Sequence, residues 1–74
     1  MDIIKLCDKS KNRVVQCAYM DLIDWNEPLT KKRIIEEIEY KLECAMMDGL
    51  DWWGFRKIDI TNVVRFLKKI KDSL

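Results

Sequence analysis

The sequence predicts an all-α fold, a small bundle of three or four helices built around a long central one. Three observations carry that expectation. Residues 29–48 repeat apolar side chains at helical spacing, and residues 59–74 do so again. The strongest chain breakers fall outside these stretches, Pro28 just before the first and Gly49 and Gly54 between the two.

The first third of the chain has two readings. Val14, Val15 and Tyr19 suit a pleated surface, and IIKLCDKSKNRVVQCAY would then form a β-hairpin ahead of two helices, an α+β alternative. As a helix, Val14, Val15, Ala18, Tyr19, Leu22 and Trp25 form one uninterrupted apolar arc, whereas a strand would split Arg13 and Gln16 between its faces. Periodicity favours the helix, with residues 2–7 a short extended segment or an extra helical turn.

From Leu29 to Asp48 the stripe is Ile34, Ile35, Ile38, Leu42, Ala45 and Met46. Thr30 or Asn26 is placed to cap its start, Pro28 suits its first turn, and Gly49 suits a left-handed ending. Lys32–Glu36, Arg33–Glu37 and Glu37–Lys41 are i,i+4 pairs expected on its open surface. Tyr40, Cys44 and Met47 form a minor apolar patch away from the main stripe, interrupted by Glu36, Glu37 and Glu43. It is the expected oligomer interface, a homodimer being the simplest case.

The last helix is expected to begin at an Asp59 cap, with Ile58 and Val63 as a hydrophobic staple. It buries Ile60, Val63, Val64, Leu67, Ile70 and Leu74, with Arg65, Lys68 and Lys69 opposite.

At 74 residues, 49% apolar and 36% charged, residues 1–74 read as a single small globular domain. A core of that size supplies about 3–5 kcal/mol at most, so a partner or second copy would matter. Net charge is only +1, but residues 25–51 carry four basic against seven acidic side chains and residues 52–74 carry six against two.

Chemistry is narrowed by what the chain lacks. It has no histidine, which removes the commonest general base and zinc ligand. Two glycines cannot build a phosphate loop. Ser10 and Ser73 are the only serines, and both sit in polar stretches. Glu39-Tyr40-Lys41 matches half of a nuclease motif, without a paired aspartate at useful spacing. Cys7, Cys17 and Cys44 are odd in number and unevenly spaced, as free thiols are in a reducing compartment. No signal peptide or membrane-spanning run is read. The expectation is a cytoplasmic protein, not an enzyme, with no metal or cofactor.

What remains is binding. In DGLDWWGFRKI two adjacent tryptophans are hard to bury together, so one indole is expected to stay open beside Arg56 and Lys57. Trp52, Trp53, Phe55 and Arg56 are therefore the expected contacts to a protein partner, tryptophan and arginine being enriched at binding hot spots. The alternative is nucleic-acid contact through Lys57, Arg65, Lys68 and Lys69, with base stacking on the same loop. A pI of 7.7 lies below the usual range of nucleic-acid modules. The expected function is a small protein-binding modulator. In composition, short and rich in lysine and isoleucine, the chain resembles accessory proteins of phages and mobile elements, which implies inhibition or regulation of a host or defence enzyme by direct contact.

Overall fold

The computed structural model describes residues 3–72; Asp2, Ser73 and Leu74, on which parts of the sequence reading fall, lie outside them. Among the described residues there are five helices and no strand: α1 (Ile3–Lys9), α2 (Arg13–Asp24), α3 (Lys31–Asp48), α4 (Leu50–Trp53) and α5 (Lys57–Asp72). The fold class is the expected all-α bundle with α3 central. The described helices number five rather than three or four, because α1 and the single turn α4, on the stretch expected as a loop, are helical as well. The hairpin alternative is not formed, because α2 buries Val14, Val15, Ala18, Tyr19 and Leu22 along one helical arc. A strand would turn alternate members of that set toward water.

Local chemistry fixes the α1–α2 corner. The Asn12 carboxamide oxygen accepts from the amides of Val14 and Val15 at 3.0 and 3.2 Å, capping α2. Its Nδ2 donates to the Asp59 carbonyl oxygen at 2.7 Å, tying this helix start to that of α5. The Gln16 side-chain amide donates to the Cys7 and Ser10 carbonyls at the end of α1, the first of which also accepts from the Ser10 N–H at 3.2 Å.

Helix α2 ends in a Schellman motif. Asn26 takes a positive φ of 58°, its N–H donates to the Ile23 carbonyl at 3.1 Å, and the Glu27 N–H donates to the Leu22 carbonyl at 2.9 Å. Asn26 thus closes α2 rather than opening α3. The α3 cap is Thr30, whose hydroxyl accepts from the Arg33 amide at 3.2 Å, so the helix starts at Lys31 and Pro28 lies before it. At its other end Gly49 has φ 101° and ψ 136°, a positive φ but not the left-handed helical conformation.

A second Schellman motif closes α4. Gly54, at φ 73° and ψ 21°, donates to Asp51, and Phe55 donates to Leu50 at 3.0 Å. The chain then turns so that Phe55 enters the core at 5% exposure. Arg56 precedes α5, and Asp59 is its third residue. The Asp59 carboxylate accepts from the Arg56 amide at 3.0 Å and from the Arg56 guanidinium at 3.1 Å. Asp59 therefore caps from inside the first turn, the reverse arm of a capping box, rather than preceding the helix. Ile58 is 54% exposed and cannot staple; Phe55 and Ile60, both packed with the core, hold the staple positions.

One apolar cluster takes side chains from all five helices, with Val14, Val15, Leu22, Ile34, Ile38, Val63 and Ile70 wholly buried. Helix α2 packs most extensively on α3, and α5 packs across both. Leu42 is only partly buried, while Met46 and Val64, expected inside, are exposed at 69% and 55%. Met46 and Val64 lie at the margins of their stripes, while Leu42 still packs against the core.

Candidate functional site

Glu37 and Lys41 lie one turn apart at the edge of the buried stripe of α3, where α2 packs against it. Both were expected at the surface; they are 4% and 5% exposed. The Lys41 ammonium forms an ion pair with Asp21 of α2 and lies 3.5 Å from Glu37 Oε1. Arg33 Nη1 donates to Glu37 Oε2 at 3.1 Å. Three rings surround the ammonium, with centroids at 5.4 Å for Trp25, 5.5 Å for Trp53 and 5.9 Å for Tyr40. Burial works against the Lys41 charge, yet the hydrogen bond to Asp21 and the nearby acidic charges prevail and hold its pKa above the ordinary lysine value. Glu37 Oε1 is buried and accepts no hydrogen bond among the described residues. Lys41 compensates it by charge across 3.5 Å, not by a directed bond.

Around this buried charge, large apolar side chains lie open among charged ones. Met20, Trp25 and Tyr40 are 49%, 55% and 57% exposed. Trp53 is half-buried; its Nε1 donates to Asp48 Oδ2 at 3.1 Å, and its ring stacks on that of Phe55 at 6.0 Å. Two clefts flank Lys41. One, of about 440 Å³, runs between α2 and the α4 turn past Cys17, Met20, Asp21 and Trp53. The other, of about 530 Å³, is bounded by Trp25, Tyr40, Arg33, Glu36 and Glu37. The two carboxylates that hold Lys41 thus line one cleft each.

The structure regroups the residues expected to bind. Trp53, from the expected partner loop, and Tyr40, from the expected oligomer patch, meet over Lys41. Trp52 points elsewhere: it is 82% exposed and lines a separate groove of about 410 Å³ with Arg56 and Lys57. Phe55, expected among the partner contacts, is a core residue, because the left-handed Gly54 turns it inward. Arg56 is exposed but anchored through its guanidinium to Asp59. Of the minor α3 patch, Tyr40 and Met47 are exposed and Cys44 is half-buried. Lys57, Arg65, Lys68 and Lys69 are all exposed on α5.

Sequence reasoning missed Met20, Asp21 and Lys41 and placed Trp25 in the core. Trp25 ends the apolar arc of α2, which was the available signal. The Asp21–Lys41 pairing joins two helices and has no local signature.

Two of the thiols, Cys7 and Cys17, are held toward the protonated form. Burial pushes Cys7 up to about 11, and burial is also the main cause raising Cys17, although Lys41 opposes it. Glu39 pairs with Lys71 at 3.3 Å. Among the described residues no cluster of three or more acidic or thiol side chains is placed to hold a metal, and no helix is long and apolar enough to cross a membrane. Comparison of the chain with protein-family models, curated proteins and solved structures gives no significant match.

Proposed function

We propose that this protein is a small cytoplasmic protein-binding modulator that docks its partner on the face built by Met20, Trp25, Tyr40 and Trp53 around Lys41. The observation that carries the reading is the convergence of the Trp25, Tyr40 and Trp53 rings on one paired, buried ammonium, with exposed Met20 lining the cleft beside it. Lys41 is charged, neutralised by Asp21 and Glu37, and shielded by rings, so it offers neither a free base nor a nucleophile. Aromatic and methionine side chains on a rigid support are what protein interfaces enrich. The compositional resemblance to phage and mobile-element accessory proteins suggests a regulated host or defence enzyme as the partner.

The test is comparative capture. Met20→Ser, at a half-exposed position, is expected to abolish enrichment of a partner that the wild type retains, while Val64→Ser on α5 leaves it unchanged. Equal capture by both variants would move the contact off this face.

A second reading has its own observation. Trp52 shares a groove with Arg56 and Lys57, from which Arg65, Lys68 and Lys69 continue along exposed positions of α5. An indole beside a row of cations is the arrangement that stacks and tracks single-stranded nucleic acid. Salt-sensitive quenching of Trp52 fluorescence by an oligonucleotide is the expected signature.

A further inference from the structure

We infer that the Trp25–Tyr40 cleft receives an organic cation, a guanidinium or alkylammonium group, presented by a basic side chain of the docked protein. The inference rests on the protein-binding reading and names the chemistry of the partner at that face. Both aromatic walls accept a cation within this fold, since the Lys41 ammonium lies 5.4 Å from the Trp25 centroid and 5.9 Å from that of Tyr40. Trp25 and Tyr40 are each more than half exposed, so Lys41 does not exhaust either ring.

The charges of the cleft also favour a cation. Its basic member, Arg33, is committed to Glu37 Oε2 at 3.1 Å, and the adjacent Lys41 is committed to Asp21. Glu36 lines the cleft, is exposed and has no ion-pair partner among the described residues. Glu37 lines it too, nine-tenths buried, with an Oε1 that lacks a hydrogen-bond donor. An incoming guanidinium or ammonium would find two π faces and one free carboxylate. An anion would meet only paired cations, and a neutral apolar group would gain nothing from Glu36. Cation–π attraction of this kind recognises alkylammonium groups in general.

The experiment follows the Trp25 indole N–H resonance of the full chain during titration. The probes are tetramethylammonium chloride, a glycine-flanked arginine peptide, and an uncharged peptide of equal length, all at constant ionic strength. The expected result is a saturable shift with the first two and none with the third. Tyr40→Leu and Glu36→Gln, both at exposed positions, are expected to weaken it about 3- to 10-fold, while Trp52→Ala leaves it unchanged. A shift with tetramethylammonium but not with the arginine peptide would assign the cleft to a small, free alkylammonium ion and overturn the side-chain source. No saturable shift with either cation would overturn the inference altogether. That failure is distinct from failure of the docking reading, which is decided by Met20→Ser outside this cleft.

Discussion

Lys41 of α3 closes on Asp21 of α2 across the most extensive helix–helix seam in the molecule, and that pair sets the geometry of the aromatic face above it. Asp21 is only partly buried, at 30% side-chain exposure, whereas Lys41 is at 7%. Losing the carboxylate would leave a nearly buried ammonium with Glu37 alone. Asp21→Asn is therefore expected to cost about 1–3 kcal/mol in urea denaturation, and a double-mutant cycle with Lys41→Met to show coupling above about 0.5 kcal/mol. The Lys41 pKa is raised in the folded state. Its stabilisation is thus complete below the unfolded lysine value and is lost as pH rises through the higher folded one. A wild-type alkaline transition that Asp21→Asn leaves unmoved would contradict this.

Asp59 works in the opposite direction. Hydrogen bonding from Arg56 lowers its pKa, against the opposing effect of burial. Its contribution is present above the ordinary aspartate value and disappears as pH falls through the lower folded value. Asp59→Asn is expected to be less stable than wild type at neutral pH by about 1–3 kcal/mol, the two melting curves converging in strong acid. A constant gap at all pH values would show that the loss is packing and not charge.

In the core, Ile38 is wholly buried and Leu42 only partly. Ile38→Ala is expected to cost about 2–5 kcal/mol, comparable with the whole stability of so small a core. Leu42→Ala is expected to cost less, because its cavity opens to solvent, and Met46→Ala, at 69% exposure, almost nothing. The order of the three chemical midpoints checks the burial pattern.

These contrasts show what was legible in the sequence. The stripes of α2, α3 and α5 were, because burial against neighbours repeats with the helical period and their inner residues are the ones buried. Their margins were not: Met46 and Val64 satisfy the period, but no neighbour covers them. Asp59 was read as preceding its helix because a carboxylate can accept from free amides either before or inside the first turn. The candidate site was legible only in part. Trp53 and Tyr40 were singled out for different reasons, and only the α4 turn, ended by left-handed Gly54, brings them over one ammonium. Glu37 and Lys41 resembled a surface i,i+4 pair, since nothing local announces that α2 will bring Asp21 against them.

Self-association, where it occurs, is expected to use Tyr40, Cys44 and Met47. Met47 is 80% exposed, so Met47→Glu removes an apolar contact without disturbing the core. The variant should sediment as a folded monomer. A folded dimer would place the interface elsewhere, and an unfolded variant would contradict the observed exposure.

The adjacent tryptophans give the sharpest separation. Trp52 is 82% exposed, so Trp52→Ala is expected to shift stability by no more than about 0.5 kcal/mol. Trp53 covers Lys41, stacks on Phe55 and donates to Asp48, so Trp53→Ala should lower the melting temperature measurably. If the partner docks over Lys41, Trp53→Ala should also cost about 2–4 kcal/mol of binding, roughly 30- to 1,000-fold in affinity, when measured at a temperature where the variant is folded. Trp52→Ala should then bind normally. The reverse pattern, intact binding in Trp53→Ala and loss in Trp52→Ala, would move the contact to the groove of Trp52, Arg56 and Lys57. Oligonucleotide quenching of Trp52 that weakens steeply with salt would identify that groove as a nucleic-acid site. A loss of binding in Trp53→Ala that only tracks its unfolded fraction would reduce Trp53 to a packing residue and sink the docking face around Lys41.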